Sequence, residues 1–521
     1  MYLGKFGEMQ SEIKMWIGFF LVVGVIGWYM IQIVACPYWS KEPVLHTYDL
    51  VRRCGIMNST WKRGMSSYKY NVGVRGGVGG SGVGGGGVGG SGITLWKAGS
   101  AGGYQGAVEK YAAFLKKEWI SGGSGDSYTR TFKLSAADLE KGAGDGAVIS
   151  SFGLSKVPWW DASFSEGYDA SGGGSGGRGW MMTYPVYYWI LAPGWSCGGV
   201  LGDIMGSGDE KEGETWKVDY LCVSRGGIGG EMRKISKKDK VEIVRKLFTT
   251  HLYYLIFGGS GGGGSRLNSA LFRGDPMSES MRKVVPLVRF GVVEINLDEK
   301  EVWPLSKRNW DGRKTWVQVD AKNMSIMRMR LWKKWMEGWY SGGGGVGGNG
   351  GALGGFQMVG VFQWSMMVDK IGIGDWIVWV LFSEGEKGEG DLPGENGEEI
   401  ECVLFFRNEW CLLEHKDEIR GMAGSGTEIF SLVGSWFMRG ISVAEGKECF
   451  RRGLREMRRI RKTFRVLRIE CLGYNLGLIS ALSISEGVLE IGKIVNREVK
   501  AYYFYNRFWG ELEARKCFIL L

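Results

Sequence analysis

Two segments gather cations at spacings that suit phosphate binding. Residues 447–468 hold ten basic side chains against two acidic ones, and Arg451, Arg455, Arg458, Lys462 and Arg465 recur at steps of three or four. On a helix this lines one face with positive charge, and the repulsion is relieved when phosphates lie along it and counterions are released. Residues 225–246 hold eight basic and three acidic residues, among them Arg233, Lys234, Lys237, Lys238, Arg245 and Lys246. A charge run is often only a solvated face; two of them interleaved with Phe, Met and Leu favour nucleic acid.

Other chemistry is thinly represented. Only His46, His251 and His415 are present, so a multi-histidine metal centre is nearly excluded. The nine cysteines (36, 54, 197, 222, 402, 411, 449, 471 and 517) never form CxxC. With an odd count they indicate neither a zinc ribbon nor a disulfide scaffold, and a reducing compartment fits best. Residues 173–177 fit GxSxG by formula, but they lie in a linker with no strand before them. Residues 487–493 imitate a phosphate loop, yet Ile494 stands where a Ser or Thr would hold magnesium. No hydrolase or nucleotide-binding constellation remains, and no metal or cofactor is expected.

The elements that would position these residues sit in an unusual composition. Glycine accounts for 89 of 521 residues and tryptophan for 24, while proline is only 9. The scarce residues need cytosine-rich codons, the mark of a strand-biased genome of the organellar kind. Near-pure Gly/Ser/Val runs at 73–93, 171–179, 258–265 and 341–355 read as flexible insertions. They suggest five segments: an apolar N-terminal helix (1–40), a Gly-rich extension (41–224), a basic central block (225–340), an insertion with a β-hairpin (341–446) and a C-terminal basic helix with strands (447–521). Residues 15–36 carry no charge, long enough to cross a bilayer as a helix or to be buried in a large assembly. Apolar residues at helical spacing predict a helix over 237–257. Residues 376–382 and 400–406 predict a hairpin around an acidic, solvated loop. The net charge of +10 favours a polyanionic partner only weakly.

Residues 266–304 predict two short helices, 266–273 and 278–289, then Gly291 as a turn, a strand at 292–296 and a return through Val302 and Pro304. This stretch resembles the alpha-L RNA-binding motif of the family of protein four of the small ribosomal subunit. Arg266, Leu267, Leu271, Arg273, Gly291, Val293, Ile295 and Asn296 fall on the family's positions. Residues 314–321 resemble its Pro-Thr-Trp-Leu-x-Val-Asp segment, and 503–507 its terminal Glu-Leu-Tyr-Ser-Arg. Asn268 departs from the usual Asp, and Val285 stands where an arginine is expected.

The resemblance implies an α+β fold: an alpha-L module of two short helices on a β-hairpin sheet, set in a larger mixed α/β body with flexible Gly-rich loops. It implies a structural protein of the mitochondrial small ribosomal subunit, organelle-encoded and not an enzyme. Its partners would be small-subunit rRNA, neighbouring ribosomal proteins and mRNA where it enters the subunit. Arg266, Arg273, Arg282 and Arg289, with the cationic faces at 233–246 and 451–465, would neutralise phosphates where rRNA helices converge. Trp303 and Trp316 would pack the core. The alternative is a membrane-anchored accessory subunit of a respiratory complex or ATP synthase, with 15–36 in the lipid. A divergent alpha-L motif in an RNA-modifying protein is a third reading.

Overall fold

The apolar runs 376–382 and 402–406 are buried on both faces, and such runs form strands inside a covered sheet rather than amphipathic helices. The computed structural model describes residues 2–35, 39, 42–47, 55–56, 72–74, 92–98, 104–118, 128–144, 146–153, 179–190, 212–223, 237–257, 267, 269–278, 281–297, 314–320, 328–333, 335, 358–361, 364–384, 398–415, 427–438, 441–485, 487–508 and 511–521.

In chain order the elements are α1 (Tyr2–Ala35), β1 (Gly55–Ile56), β2 (Val72–Val74), β3 (Gly92–Lys97), α2 (Tyr104–Glu118), β4 (Tyr128–Phe132), α3 (Ala136–Ala143), β5 (Val148–Gly153), β6 (Gly179–Ile190), β7 (Glu212–Val223), α4 (Lys237–Phe257), β8 (Ala270–Gly274) and β9 (Val288–Leu297). There follow β10 (Lys314–Gln318), β11 (Met358–Val361), α5 (Trp364–Gly372), β12 (Trp376–Glu384), β13 (Glu398–His415), β14 (Thr427–Phe437), α6 (Val443–Ile460), β15 (Phe464–Glu470), α7 (Tyr474–Leu482), β16 (Ser483–Ser485), β17 (Val488–Leu489), β18 (Gly492–Tyr505), β19 (Arg507–Phe508) and β20 (Cys517–Leu520).

One mixed sheet takes in 18 of these strands. Its spine runs β3–β5–β6–β7–β8–β18–β9–β15–β14–β13–β12–β10, each strand paired to the next. Two joints in this spine are parallel crossovers. Helix α4 connects β7 to β8, and α6 connects β14 to β15. The β18·β9 pair lies between them, so the sheet has two similar halves, each a parallel β–α–β unit. At the β9–β18 contact only glycine fits position 492: its φ is +150°, and a Cβ there would lie 2.1 Å from the Asn296 carbonyl oxygen.

The expected alpha-L module is not there, and the reason is local. Leu267, Ser269, Ala270, Leu271 and Phe272 are all buried, and 270–274 form β8 rather than a helix. Residues 278–289 do not form the second helix: 281–283 are a turn, Pro286 lacks the N–H a helix interior requires, and β9 has begun by Val288. Gly291 is a strand residue in close contact with Cys471, not a turn. The expected helix at 237–257 is α4, and the hairpin at 376–406 is β12 with β13. The C-terminal basic helix ends at Ile460, and Phe464 already belongs to β15. Trp316 packs partly buried against a hydrophobic cluster that includes Leu404, Phe450 and Leu454; Trp303 and residues 385–397 of the acidic loop lie outside the described residues.

Residues 15–35 belong to α1, whose apolar side chains from Met15 to Ile31 are largely exposed. Among the described residues no helix is long and apolar enough to cross a membrane.

Candidate active site

A parallel pair opens at its carboxyl ends wherever hydrogen bonding stops, and such crevices are where sheets of this kind take ligands. In the first half, β7 and β8 pair only at Trp216↔Ala270 and Lys217↔Leu271. Upstream, Thr215 Oγ1 and Ser269 Oγ lie 2.9 Å apart, and the Trp216 N–H donates to the Ser269 carbonyl. Beyond Lys217 the strands part into a fork. On its other edge β7 carries a bulge: Tyr220 and Leu221 together stand opposite Met181, and Tyr220 has φ +46°. A bulge beside a fork redirects side chains and peptide groups.

The fork is lined with charge. Lys217 and Asp219 alternate on one face of β7, with Lys217 Nζ 3.3 Å from Asp219 Oδ2. Tyr184, the residue opposite Lys217 on β6, donates its hydroxyl to the same Asp219 oxygen at 2.7 Å. The Tyr220 N–H reaches Asp219 Oδ1 at 3.2 Å, and the Tyr111 hydroxyl donates to the Tyr220 carbonyl. Two ammonium groups approach the Tyr184 ring, Lys217 Nζ at 5.5 Å and Lys370 Nζ at 5.1 Å from its centroid. Lys370 is paired with Asp375 at 3.0 Å, and the Trp410 indole N–H donates to Asp375 at 2.7 Å. A cavity of about 10 Å³, room for one water, is lined by Tyr184, Tyr220, Lys370 and Asp375.

Burial and these neighbours set the protonation states. Desolvation brings the Lys217 ammonium down to about 8; Asp219 opposes the shift, while Arg407 and Lys370 reinforce it. Burial alone would raise the Asp219 carboxyl, but Lys217, the Tyr184 hydroxyl, Lys370 and Arg407 hold it below its ordinary value. Desolvation and the nearby Asp219 push the Tyr184 phenol well up.

Behind the fork lies a buried ion network. Arg407 contacts Glu409 at 3.0 Å and Glu470 at 3.1 Å, and donates to the Leu521 main-chain oxygen at 2.8 Å. Glu470 also receives Arg273 at 2.6 Å, and Ser431 donates to Glu409. Against the cost of burial, Arg407 and Arg468 hold the Glu409 carboxyl well below the usual carboxylate range.

The second fork is closed. β14 and β15 pair as far as Leu432↔Ile469. Past that point Asn475 bridges the gap, its Nδ2 donating to the carbonyls of Leu432 (3.3 Å), Val433 (3.2 Å) and Glu470 (2.8 Å). At the start of α6, Ser442 and Glu445 form a reciprocal capping box that uses two of the helix's first N–H groups and places a carboxylate there. A half-open apolar cavity of about 280 Å³ separates α6 from α7, lined by residues including Phe437, Gly446, Tyr474 and Ala481.

Among the described residues, the cations singled out in the sequence take up different places in the fold. Arg273 is inside, paired with Glu470. Arg282 is exposed in a turn, and Arg289 pairs with Glu511 at the surface. Arg451 is within 4 Å of Glu448 and Glu490, Arg455 is exposed on α6, and Arg458 is half-buried. Lys462 follows the helix end, and Arg465 is exposed on β15. Arg245 is half-buried on α4; Lys237 and Lys238 are in its first turn and Lys246 in its middle. Arg233, Lys234 and Arg266 lie outside the described residues. The residues that do converge, Lys217, Asp219 and Tyr184, were missed. Their signal is two charges alternating within the apolar strand WKVDYLCV, which a half-buried edge explains equally well.

No protein-family model and no curated protein sequence matches the chain. Solved structures do match, over nearly its whole length. A crystal structure of Saccharomyces cerevisiae N-myristoyltransferase with bound myristoyl-CoA aligns with a TM-score of 0.51 and 8% identity, covering 93% of this chain and 99% of that one. A second, also with myristoyl-CoA, aligns at 0.51 and 7% identity, covering 93% and 94%. A third, with myristoyl-CoA and inhibitors, aligns at 0.53 and 8% identity, covering 94% and 98%. The shared fold replaces the alpha-L module with a large mixed sheet built from two β–α–β halves. It overturns the ribosomal assignment with its rRNA, mRNA and ribosomal-protein partners, and the expectation of a non-enzyme. It gives the membrane-subunit alternative no support either.

Proposed function

We propose that this chain is an acyltransferase that moves a fatty-acyl group from an acyl-CoA thioester to an amine. The fork between β7 and β8 carries this reading, because it combines an open parallel joint, a bulge and buried ionised side chains in a fold shared with enzymes crystallised with myristoyl-CoA. The first fork suits an anionic donor better than the second. Asn475 fills the second, and Glu445 repels anions from the start of α6. In the first half, α4 is the crossover helix that follows β7, and a helix presents the positive end of its dipole at its amino terminus.

Acyl transfer needs the thioester carbonyl fixed, its developing oxyanion stabilised and an amine presented without its proton. The bulge at Tyr220 and Leu221 leaves irregular backbone on β7 next to the fork, and the Lys217–Asp219–Tyr184 group lies on the adjoining stretch of β7 and β6.

The test is direct. Purified protein is incubated with saturated acyl-CoAs of increasing chain length and a simple alkyl amine. Free CoA thiol is followed by a chromogenic disulfide, and the amide by mass spectrometry. Equimolar CoA and amide are expected. No amide with any acyl-CoA, together with no acyl-CoA binding by calorimetry, would refute the reading.

A further inference from the structure

Lys217 occupies a position where a lysine is costly unless it is used. It stands at the apex of the fork, in the last pair before β7 and β8 separate, with its side chain 9% exposed. Among the described residues, the charged or titratable groups that face it include Tyr184 on β6, Asp219 on β7, Lys370 on α5 and Arg407 on β13. Asp219 does not depend on Lys217 alone for stabilisation, since it also accepts from the Tyr184 hydroxyl and the Tyr220 N–H. Two further cations, Lys370 and Arg407, oppose the Lys217 charge. A methionine of similar length would fill the same space without desolvating an ammonium.

We propose, building on the acyl-transfer reading, that Lys217 is the base of the reaction, taking the proton from the ammonium of the acyl acceptor while Asp219 and Tyr184 hold the lysine ammonium that results. The acceptor enters as R–NH3+ and one N–H bond breaks, its proton passing to the Nζ lone pair. The freed nitrogen pair attacks the thioester carbonyl carbon. The C–N bond forms, the C–S bond breaks, and its electrons leave on sulfur. A second proton, from the nitrogen of the tetrahedral adduct, goes to that sulfur to give the CoA thiol. Lys217 then returns its proton to water past Asp219, whose side chain is 27% exposed. The site carries one mobile positive charge throughout, first on the acceptor and then on Lys217, so proton transfer adds no net charge to the buried cluster.

The protonation equilibrium agrees. With its ammonium lowered to about 8, roughly a quarter of Lys217 is neutral at pH 7.5, against about one part in a thousand for an ordinary lysine. A base poised near the working pH is the efficient one.

Two acceptors test this: an alkyl amine, protonated at pH 7.5, and a weakly basic amine already neutral there. Lys217→Met should lose about 10²–10⁴-fold in kcat/KM with the alkyl amine but stay within about fivefold of wild type with the weakly basic one. Lys217→Arg keeps a cation beside Asp219 yet holds its proton, so it should show the same selective loss, and it serves if the methionine variant does not fold. Equal loss on both acceptors would make Lys217 a structural or positioning residue and overturn the proposal, as would no loss on either. If the wild-type protein transfers acyl groups to neither acceptor, the acyltransferase reading itself fails and the proposal falls with it. That outcome is distinct from an active wild type whose variants show no selectivity.

Discussion

Lowering the pH should detach the crossover helix of the first fork through one histidine. His251, in the middle of α4, is fully buried, with Nε2 2.7 Å from Thr183 Oγ1 on β6 and Nδ1 2.6 Å from Ser150 Oγ on β5. Both of these partners are hydroxyls, and burial brings the His251 pKa from 6.5 down to about 3. The folded state therefore binds fewer protons than the unfolded state between those values, so stability rises with pH there. The helix attachment is at full strength above about 6.5 and weakens as pH falls toward 3. Each unit in that window costs about 1.4 kcal/mol, so between pH 6.5 and 4.5 the loss is about 3 kcal/mol. Urea unfolding at pH 7.5, 6.5, 5.5 and 4.5, for wild type and His251→Gln, isolates the term because other titrations are common to both. The wild-type curve should fall about 3 kcal/mol further than the variant's by pH 4.5, and acyl-CoA binding should weaken over the same interval. Parallel curves would refute the reasoning.

Two further outcomes follow from the polar interior. Arg407→Met leaves Glu409 and Glu470 without their shared guanidinium, and should cost about 3–5 kcal/mol in urea midpoint analysis, as expected for breaking a buried ion pair. Asn475→Leu removes the donor for three buried carbonyls and should cost about 2–4 kcal/mol, with faster amide exchange at Val433 and Ser435 if the second fork loosens.

Residue order alone settled the elements whose patterns are strong and local. The helix over 237–257 follows from apolar spacing of three and four, and the β12–β13 hairpin from two apolar runs around an acidic stretch. The strand at 292–296 is part of β9. Where local pattern and tertiary demand conflict, tertiary structure decides. Arg273 looks like a surface cation in sequence, but a buried carboxylate 197 residues away draws it into the core. The stretch 461–468 continues a helical charge pattern, but β15 must follow α6 to complete the parallel crossover. The family-like series at 266–296 rested on isolated matches in a stretch whose buried residues line both faces of a strand.

The candidate active site lies at the far end of this range. Tyr184 lies on one strand and Lys217 and Asp219 on the next, while Lys370 arrives from α5 and Arg407 from β13 in the other half of the sheet. No local spacing links them. Their chemistry comes from the low dielectric of a crevice that exists only once β7, β8 and the opposing half have assembled. Residue types and their local spacing are enough to mark the charged side chains and the segments that form α4 and the β12–β13 hairpin. Tertiary structure decided which charges lose water, because desolvation is a property of the assembled sheet and not of any short run of residues.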